Sequence, residues 1–165
     1  MEILTQLLVS NTLISDNGNN GIAISTNGSG TTTGVLDHVE MENNANNGLP
    51  TQSAQTLNVT VSDSVSANNG NSGVNAAAVG GGGNTTMVRN STIANNGENG
   101  LEANGTSAGS TVFVTRSTIT GNNTGWADVS SGLVLSYGDN NIDGNGSVNT
   151  APPCVNGTSP CSAYK

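Results

Sequence analysis

Eleven acidic side chains, three basic ones and one histidine are all the formal charge that this 165-residue chain holds. Any acid–base or metal chemistry has to be assembled from them. The densest group is Asp37, His38, Glu40 and Glu42. Neighbouring carboxylates in unequal surroundings can divide acid and base roles, and a histidine among carboxylates can ligate a metal. His38, Glu40 and Glu42 are therefore binding candidates. The plainer reading is a solvated strand face, because alternation places Glu40 and Glu42 on the same side. A second set is Asp37, Asp63, Arg89 and Arg116, which recur at about the spacing of one structural repeat. Carboxylate oxygens at Asp37 and Asp63 would suit Ca²⁺, and an arginine beside the ion would serve as proton-abstracting base. These four are the catalytic candidates, with Asp37 and Asp63 the metal candidates. The competing reading is a surface ion pair of Asp63 with Arg89, which contributes little. Adjacent strand positions also point to opposite faces, so the sequence leaves open which face each Asp occupies. The single tryptophan, Trp126, is a further binding candidate, since an exposed indole can stack on a sugar ring.

The elements that must position these residues are repeats. One phrase recurs, as VSNTLISDNGNNGIAI from Val9, LDHVEMENNANNGLPT from Leu36, VSDSVSANNGNSGVNA from Val61 and VRNSTIANNGENGLEA from Val88. A copy one residue shorter, VTRSTITGNNTGWAD, follows from Val114, and a degenerate one, LVLSYGDNNIDGNGS, from Leu133. The aligned columns are chemically uniform. Val9, Leu36, Val61, Val88 and Val114 share one. Ile14, Met41, Ser66, Ile93, Ile119 and Ile142 share another, with Ser66 the polar exception. Asn17, Asn44, Asn69, Asn96, Asn122 and Asn145 form an unbroken column, spaced 23 to 27 residues apart. Gly21, Gly48, Gly73, Gly100 and Gly125 follow, each trailed by an apolar residue, Trp126 being the last of these. That position predicts a core place for the indole.

A fixed period of this length is the mark of a solenoid. About 25 residues allow three short strands and three turns per coil, and coils stack at about 4.8 Å. The fold class expected is all-β, a right-handed single-stranded parallel β-helix of about six coils. Stacked asparagine amides can bond along the axis as Asn ladders do, and asparagine tolerates left-handed backbone. The glycines are expected where a turn demands positive φ. Thr12, Ser64, Ser91 and Ser117 form a second, smaller polar ladder. The segments at 27–34, 50–56, 79–86 and 104–111 vary in length and are rich in Gly, Ser and Thr, so they read as loops stacked on one side.

Composition fits a thin core. Hydrophobic residues make up 33% of the chain but aromatics only 2%, too few for a thick globular interior. The formal net charge of −8 excludes a nucleic-acid binder, which needs a cationic footprint to displace counterions. No apolar run reaches the length of a membrane-spanning helix, so no membrane insertion is expected. The start, MEILTQLLVS, lacks the basic region of a signal peptide and runs straight into the repeats. Cys154 and Cys161 enclose six residues in a C-terminal tail, a spacing that suits a disulfide if the protein is exported. The domain division expected is a β-helix over 1–147 and a tail over 148–165.

The coils, and SYGDNNIDGNG at 136–146 in particular, resemble bacterial right-handed β-helix repeat proteins of the pectate-lyase-like superfamily, over roughly residues 7–147. The closest likeness is to its uncharacterised, non-catalytic-looking branch. Members of the broad group cleave, epimerise or bind polysaccharides, and others are exported or surface proteins. Several enzymatic signatures of that group are missing. His38 is not in a Gly-His-Gly setting, there is no Arg-x-Lys, and Tyr137-Gly138-Asp139 is followed by Asn140 and Asn141 rather than Pro-His. The resemblance thus implies a secreted or cell-surface structural or glycan-binding scaffold, with polysaccharide as partner and no resident cofactor, Ca²⁺ being the one ion its residues would suit. The alternative is a fragment of a polysaccharide lyase, hydrolase or epimerase whose groove lies partly in preceding coils. Exposed strand edges at an uncapped end would allow end-to-end self-association.

Overall fold

The computed structural model describes residues 4–106, 108–157 and 161. Valine, isoleucine and threonine favour strands, and every regular element is a strand. The first coil holds β1 (Leu4–Ser15) and β2 (Ile24–Thr26), and the second β3 (Thr31–Glu42) and β4 (Leu49–Ser53). Then come β5 (Thr56–Ser62), β6 (Val65–Ala67) and β7 (Val74–Ala78), followed by β8 (Asn84–Arg89), β9 (Thr92–Ala94) and β10 (Asn99–Gly105). The last are β11 (Ser110–Thr115), β12 (Thr118–Thr120), β13 (Thr124–Ser130), β14 (Leu133–Ser136) and β15 (Asn141–Ile142). All pairings between them are parallel and join one coil to the next. The chain is a parallel β-solenoid with three faces. β14, β11, β8, β5 and the first halves of β3 and β1 form the long face. β15, β12, β9, β6 and the second halves of β3 and β1 form the middle face. The third is a separate five-stranded sheet, β13-β10-β7-β4-β2. Six rungs on two faces and five on the third make about five full turns.

Alternation in the strands fills the interior. On the long face Leu36, Val61, Val88 and Val114 point inward and are fully buried, and Met41, Ile93 and Ile119 do the same on the middle face. The third sheet adds Leu49, Val74 and Leu101. Among the described residues no aromatic side chain is fully buried, which is why so little aromatic content suffices.

The chain bends through two left-handed residues per coil. The corner between the long and middle faces places Asn11, His38, Asp63, Asn90 and Arg116 at φ of 46 to 55°. The corner between the middle face and the third sheet uses Asp16, Asn43, Asn68, Asn95, Gly121 and Gly144, at φ of 55 to 72°. Each of these immediately precedes a column asparagine. The asparagines of the column are thus not the left-handed residues; they are the residues that hold the corner closed. The glycine column differs from expectation too, since none of its five members has positive φ. They are glycine because the next coil leaves no room. A Cβ on Gly100 would lie 2.6 Å from the Gly125 carbonyl oxygen and 2.9 Å from Asn122 Nδ2.

The segments expected to be loops are partly strand. Residues 31–34 open β3, 50–53 belong to β4, 84–86 open β8 and 110–111 open β11. Thr56 opens β5 and residues 104–105 end β10, so the third corner is confined to part of what is left. The high Gly, Ser and Thr content of the segments reflects tight inward positions such as Thr32, Ser53, Thr86 and Ser110, all buried.

Candidate functional site

The asparagine ladder runs the length of the rod. Each Nδ2 donates to the Oδ1 of the next coil's asparagine, at 2.8 Å from Asn17 to Asn44, 2.9 Å to Asn69, 2.9 Å to Asn96, 2.8 Å to Asn122 and 3.0 Å to Asn145. The same oxygens accept the backbone N–H of the preceding asparagine. The second Nδ2 proton reaches a backbone carbonyl of the coil before, as Asn96 does with Ser66 at 3.1 Å. All the donors and acceptors of a buried amide are thereby used, which is what burial of such a group demands. The serine ladder is present as well. The Ser64, Ser91 and Ser117 hydroxyls accept the backbone N–H of Val39, Ser64 and Ser91, and donate to carbonyls two residues back. Thr12 makes the same backward bond.

The four catalytic candidates fall into two adjacent columns at the first corner. Asp37 and Arg89 share a column with Ser10, Ser62 and Thr115. Asp63 and Arg116 are left-handed corner residues one position later. Asp37 accepts a 2.6 Å bond from the Ser62 hydroxyl and lies 3.1 Å from His38 Nδ1. Those two contacts, the serine first, hold its carboxyl below the ordinary range against an opposing effect of desolvation, with the electrostatic influence of neighbouring His38 and Arg89 adding to the lowering. Asp63 accepts from Asn90 Nδ2 and lies 4.0 Å from the Arg89 guanidinium. Arg116 is two coils from Asp63, roughly 10 Å at the usual strand spacing, and its backbone N–H donates to Asp139. The expected Asp63–Arg89 surface pair is therefore present.

Calcium binds six to eight oxygens converging on one point. Asp37 and Asp63 are two carboxylates, and each already serves donors of its own or the following coil. These residues do not fit the ion, and no group of three or more His, Cys, Asp or Glu among the described residues is placed to hold a metal. Asp16 and Asp139 serve in the same way as Asp37 and Asp63, accepting from Asn43 and from Thr115 on the neighbouring coil. Glu40 projects outward on the middle face beside Leu13 and Val65, and Glu42 beside Ser15 and Ala67. Glu40, His38, Asn11, Thr12 and Leu13 line a shallow depression there.

Trp126 pairs in register with Leu101 and packs half-buried against the core. Its Nε1 donates to the Thr150 carbonyl at 2.8 Å, so the indole helps seat the tail. The tail closes the C-terminal end. Asn149 takes the place of a seventh ladder asparagine, accepting from Asn145 Nδ2 at 3.0 Å and from its backbone N–H at 2.8 Å. Cys154 and Cys161 form a disulfide, Cys154 bridges Ser136, and Cys161 is buried against the Ser136 carbonyl.

The most continuous surface feature lies on the outer side of the long face, two positions before Asp37 and Arg89, and the sequence singled out none of its residues. Leu8, Val35, Thr60, Met87, Phe113 and Leu135 stand in one outward column, one per coil. Leu133 and Tyr137 flank it at the C-terminal end, both half exposed, and the Phe113 and Tyr137 rings lie 6.4 Å apart. Of the two neighbouring outward columns, Gln6, Thr33, Asn58, Thr85 and Thr111 are all uncharged, and Ser10, Asp37, Ser62, Arg89 and Thr115 hold one acid and one base. Strand alternation applied column by column would have exposed this stripe. No family model, no curated protein and no solved structure matches this chain.

Proposed function

We propose that this protein is a non-catalytic scaffold, exported or exposed at a surface, whose rigid rod presents the outer side of the long face to a neutral glycan. The observation that carries the reading is the outward column from Leu8 to Leu135, with Phe113 and Tyr137 beside hydroxyl and amide groups. Aromatic and aliphatic side chains cover the apolar faces of sugar rings, and threonine and asparagine serve the hydroxyls. A formal charge of −8 disfavours an anionic polymer. The scaffold role is favoured over catalysis because Asp37, Asp63 and Asp139 act as acceptors that tie coils together. Membership of the bacterial pectate-lyase-like β-helix proteins is part of the same reading and rests on the coil pattern and SYGDNNIDGNG. Association through an exposed strand edge is a further part of it. Among the described residues no helix is long and apolar enough to cross a membrane.

A panel of neutral and acidic polysaccharides, with and without Ca²⁺, tests the proposal when polymer length and protein binding are both followed. The expected result is retention on a neutral polymer, unchanged polymer length, and loss of retention in Phe113→Ala/Tyr137→Ala. Shortening of an acidic polymer that requires Ca²⁺ would overturn it.

A further inference from the structure

Asparagine is thermally labile, most of all before glycine, and this chain holds ten Asn-Gly pairs. The glycine nitrogen can attack the asparagine's side-chain amide carbon when no Cβ stands in the way and both groups are free to meet. The fold denies most of the pairs that freedom. In the ladder, Gly70, Gly97 and Gly146 donate their N–H to the carbonyls of Asn44, Asn69 and Asn122 at 2.9, 2.9 and 2.8 Å. The amides of Asn69, Asn96 and Asn145 before them are held in side-chain bonds. Gly21 and Gly48 are tied to the carbonyls of Asn47 and Ser72 at 2.9 and 3.1 Å, and Gly100 and Gly105 lie inside β10. Gly157 N–H is bonded to the Cys154 carbonyl at 2.9 Å. At Asn17-Gly18 it is the side-chain amide that is held, by Asn44 at 2.8 Å.

Asn27-Gly28 stands apart. It lies at the third corner, between β2 and β3, and both residues are exposed. Neither the Asn27 side chain nor the Gly28 N–H has a partner among the described residues. Gly28 has a φ of 115°, and a Cβ there would meet nothing nearer than Gln55 Oε1 at 3.9 Å, so the space around this peptide is open. The openness belongs to the corner itself. Gln55 stands two positions past Ser53 as Gly28 does past Thr26, and Thr26 and Ser53 are in register. With a coil on each side, Gln55 N–H is likewise without a partner among the described residues.

We propose that Asn27 is a site of spontaneous deamidation, the one Asn-Gly pair that converts while the protein stays folded. The Gly28 nitrogen gives its proton to a solvent base and attacks Asn27 Cγ. The N–Cγ bond forms, the Cγ–Nδ2 bond breaks, and the amide nitrogen takes a proton from solvent and leaves as ammonia. Water then opens the cyclic imide at either carbonyl, giving aspartate or isoaspartate, with nothing oxidised or reduced. The product adds one negative charge and, in the iso form, one backbone methylene. Residues 27–30 can absorb both, since none of them is buried. The same conversion at Asn96 would remove an amide donor from the buried ladder. The fold therefore confines the reaction to a corner that tolerates it, independently of any glycan on the long face.

Incubation of the native protein in heavy-oxygen water at mildly alkaline pH tests it, followed by pepsin digestion in acid and site-resolved mass spectrometry. Asn27 should convert at least about tenfold faster than any other Asn-Gly pair, because the others must wait for local or global opening. In denaturant the ranking should collapse, with all ten pairs converting at similar rates. Asn27→Gln should abolish the early conversion and leave the circular dichroism spectrum unchanged. An intact Asn27 in the native protein while the denatured pairs convert, or a ladder pair keeping pace with Asn27 in the native protein, would each overturn the proposal. So would an Asn27 that kept the same lead in denaturant, since the cause would then lie in its neighbours in sequence and not in the fold. Should Asn27→Gln fold poorly, the two wild-type time courses decide the question without it.

Discussion

Two corners of the coil bend the chain by the same backbone device and carry opposite chemistry. Each has one left-handed residue per coil at φ near 50 to 70°. At the first corner that residue is Asn11, His38, Asp63, Asn90 or Arg116 in turn, and His38, Asn90 and Arg116 are exposed. At the second it is Asp, Asn or Gly, and the next residue is always the ladder asparagine, buried at Asn44, Asn69, Asn96, Asn122 and Asn145. The difference lies in what the corner residues must hydrogen-bond. The second corner turns inward an amide that satisfies two coils at once, and no other side chain has an amide's donors and acceptor at that length. The first corner satisfies its backbone through the serine behind it, so the corner position itself is free to vary. Charged residues collected there because nothing in the fold forbids them, and a column of mixed charge on successive coils resembles an active site.

The largest expected effect is therefore at the second corner. Asn96→Ala removes the acceptor of Asn69 N–H and Nδ2 and takes the Nδ2 donor from the Ser66 carbonyl and from Asn122 Oδ1, which keeps only the residue 96 backbone N–H. Buried groups left unpaired cost about 1–3 kcal/mol apiece, so a loss of roughly 3–5 kcal/mol is expected in chemical denaturation. Asn96→Asp, nearly the same shape, should be comparably damaging because an acid cannot donate twice. Asn17→Ala should cost under about 1 kcal/mol, since Asn17 is exposed at the open end of the ladder. Equal losses at Asn17 and Asn96 would break the comparison.

Next in size is the glycine column, which packs against the same ladder. Gly100→Ala would force a Cβ to within 2.6 Å of the Gly125 carbonyl and 2.7 Å of Ile119 Cγ2. Overpacking of that kind costs roughly 1–3 kcal/mol, and a thermal melt would read it. Ser91→Ala, at the first corner, leaves the Ser64 N–H without its acceptor and should cost about 1–2 kcal/mol. A Ser91→Ala loss exceeding that of Asn96→Ala would reverse the order of the two corners.

How far the sequence revealed these corners follows from the same distinction. The repeat, the inward aliphatic columns, the asparagine ladder and the serine ladder were legible because each role admits few residue types and recurs at one spacing. The reason for the glycines was not, because a demand for positive φ and a lack of space for Cβ select the same residue. The outward stripe escaped notice because Leu8, Val35, Thr60, Met87, Phe113 and Leu135 share neither type nor polarity. They share only a position in the register. The split of Asp37 and Arg89 from Asp63 and Arg116 depends on a left-handed residue that interrupts strand alternation, and Asp63 and Arg116 are not residue types that announce one.

The smallest expected effects are those of charge at the first corner, and their signs can be worked out. Asp37 is held below the ordinary carboxylate range by the Ser62 hydroxyl and then by His38. A depressed acid adds stability that is complete above its unfolded pKa and is lost as pH falls through the folded value. Asp128 runs the other way. It occupies an inward register position beside Ala103 on the last strand of the third sheet, where desolvation raises its pKa and the Val134 N–H offsets part of the rise. A raised acid binds its proton more tightly when folded, so its contribution falls as pH rises from the unfolded toward the folded value. Asp128→Asn should then remove a small loss of stability on the way to neutral pH. Asp37→Asn should remove part of the acid-side loss and leave neutral stability nearly unchanged, because the group is solvent-accessible and its ties are screened. Denaturant midpoints of both variants across the acid range distinguish the two behaviours. If Asp37→Asn instead destabilised the neutral protein as much as Asn96→Ala, the first corner would be structural in the same sense as the second, and the freedom of its residues to vary would need another cause.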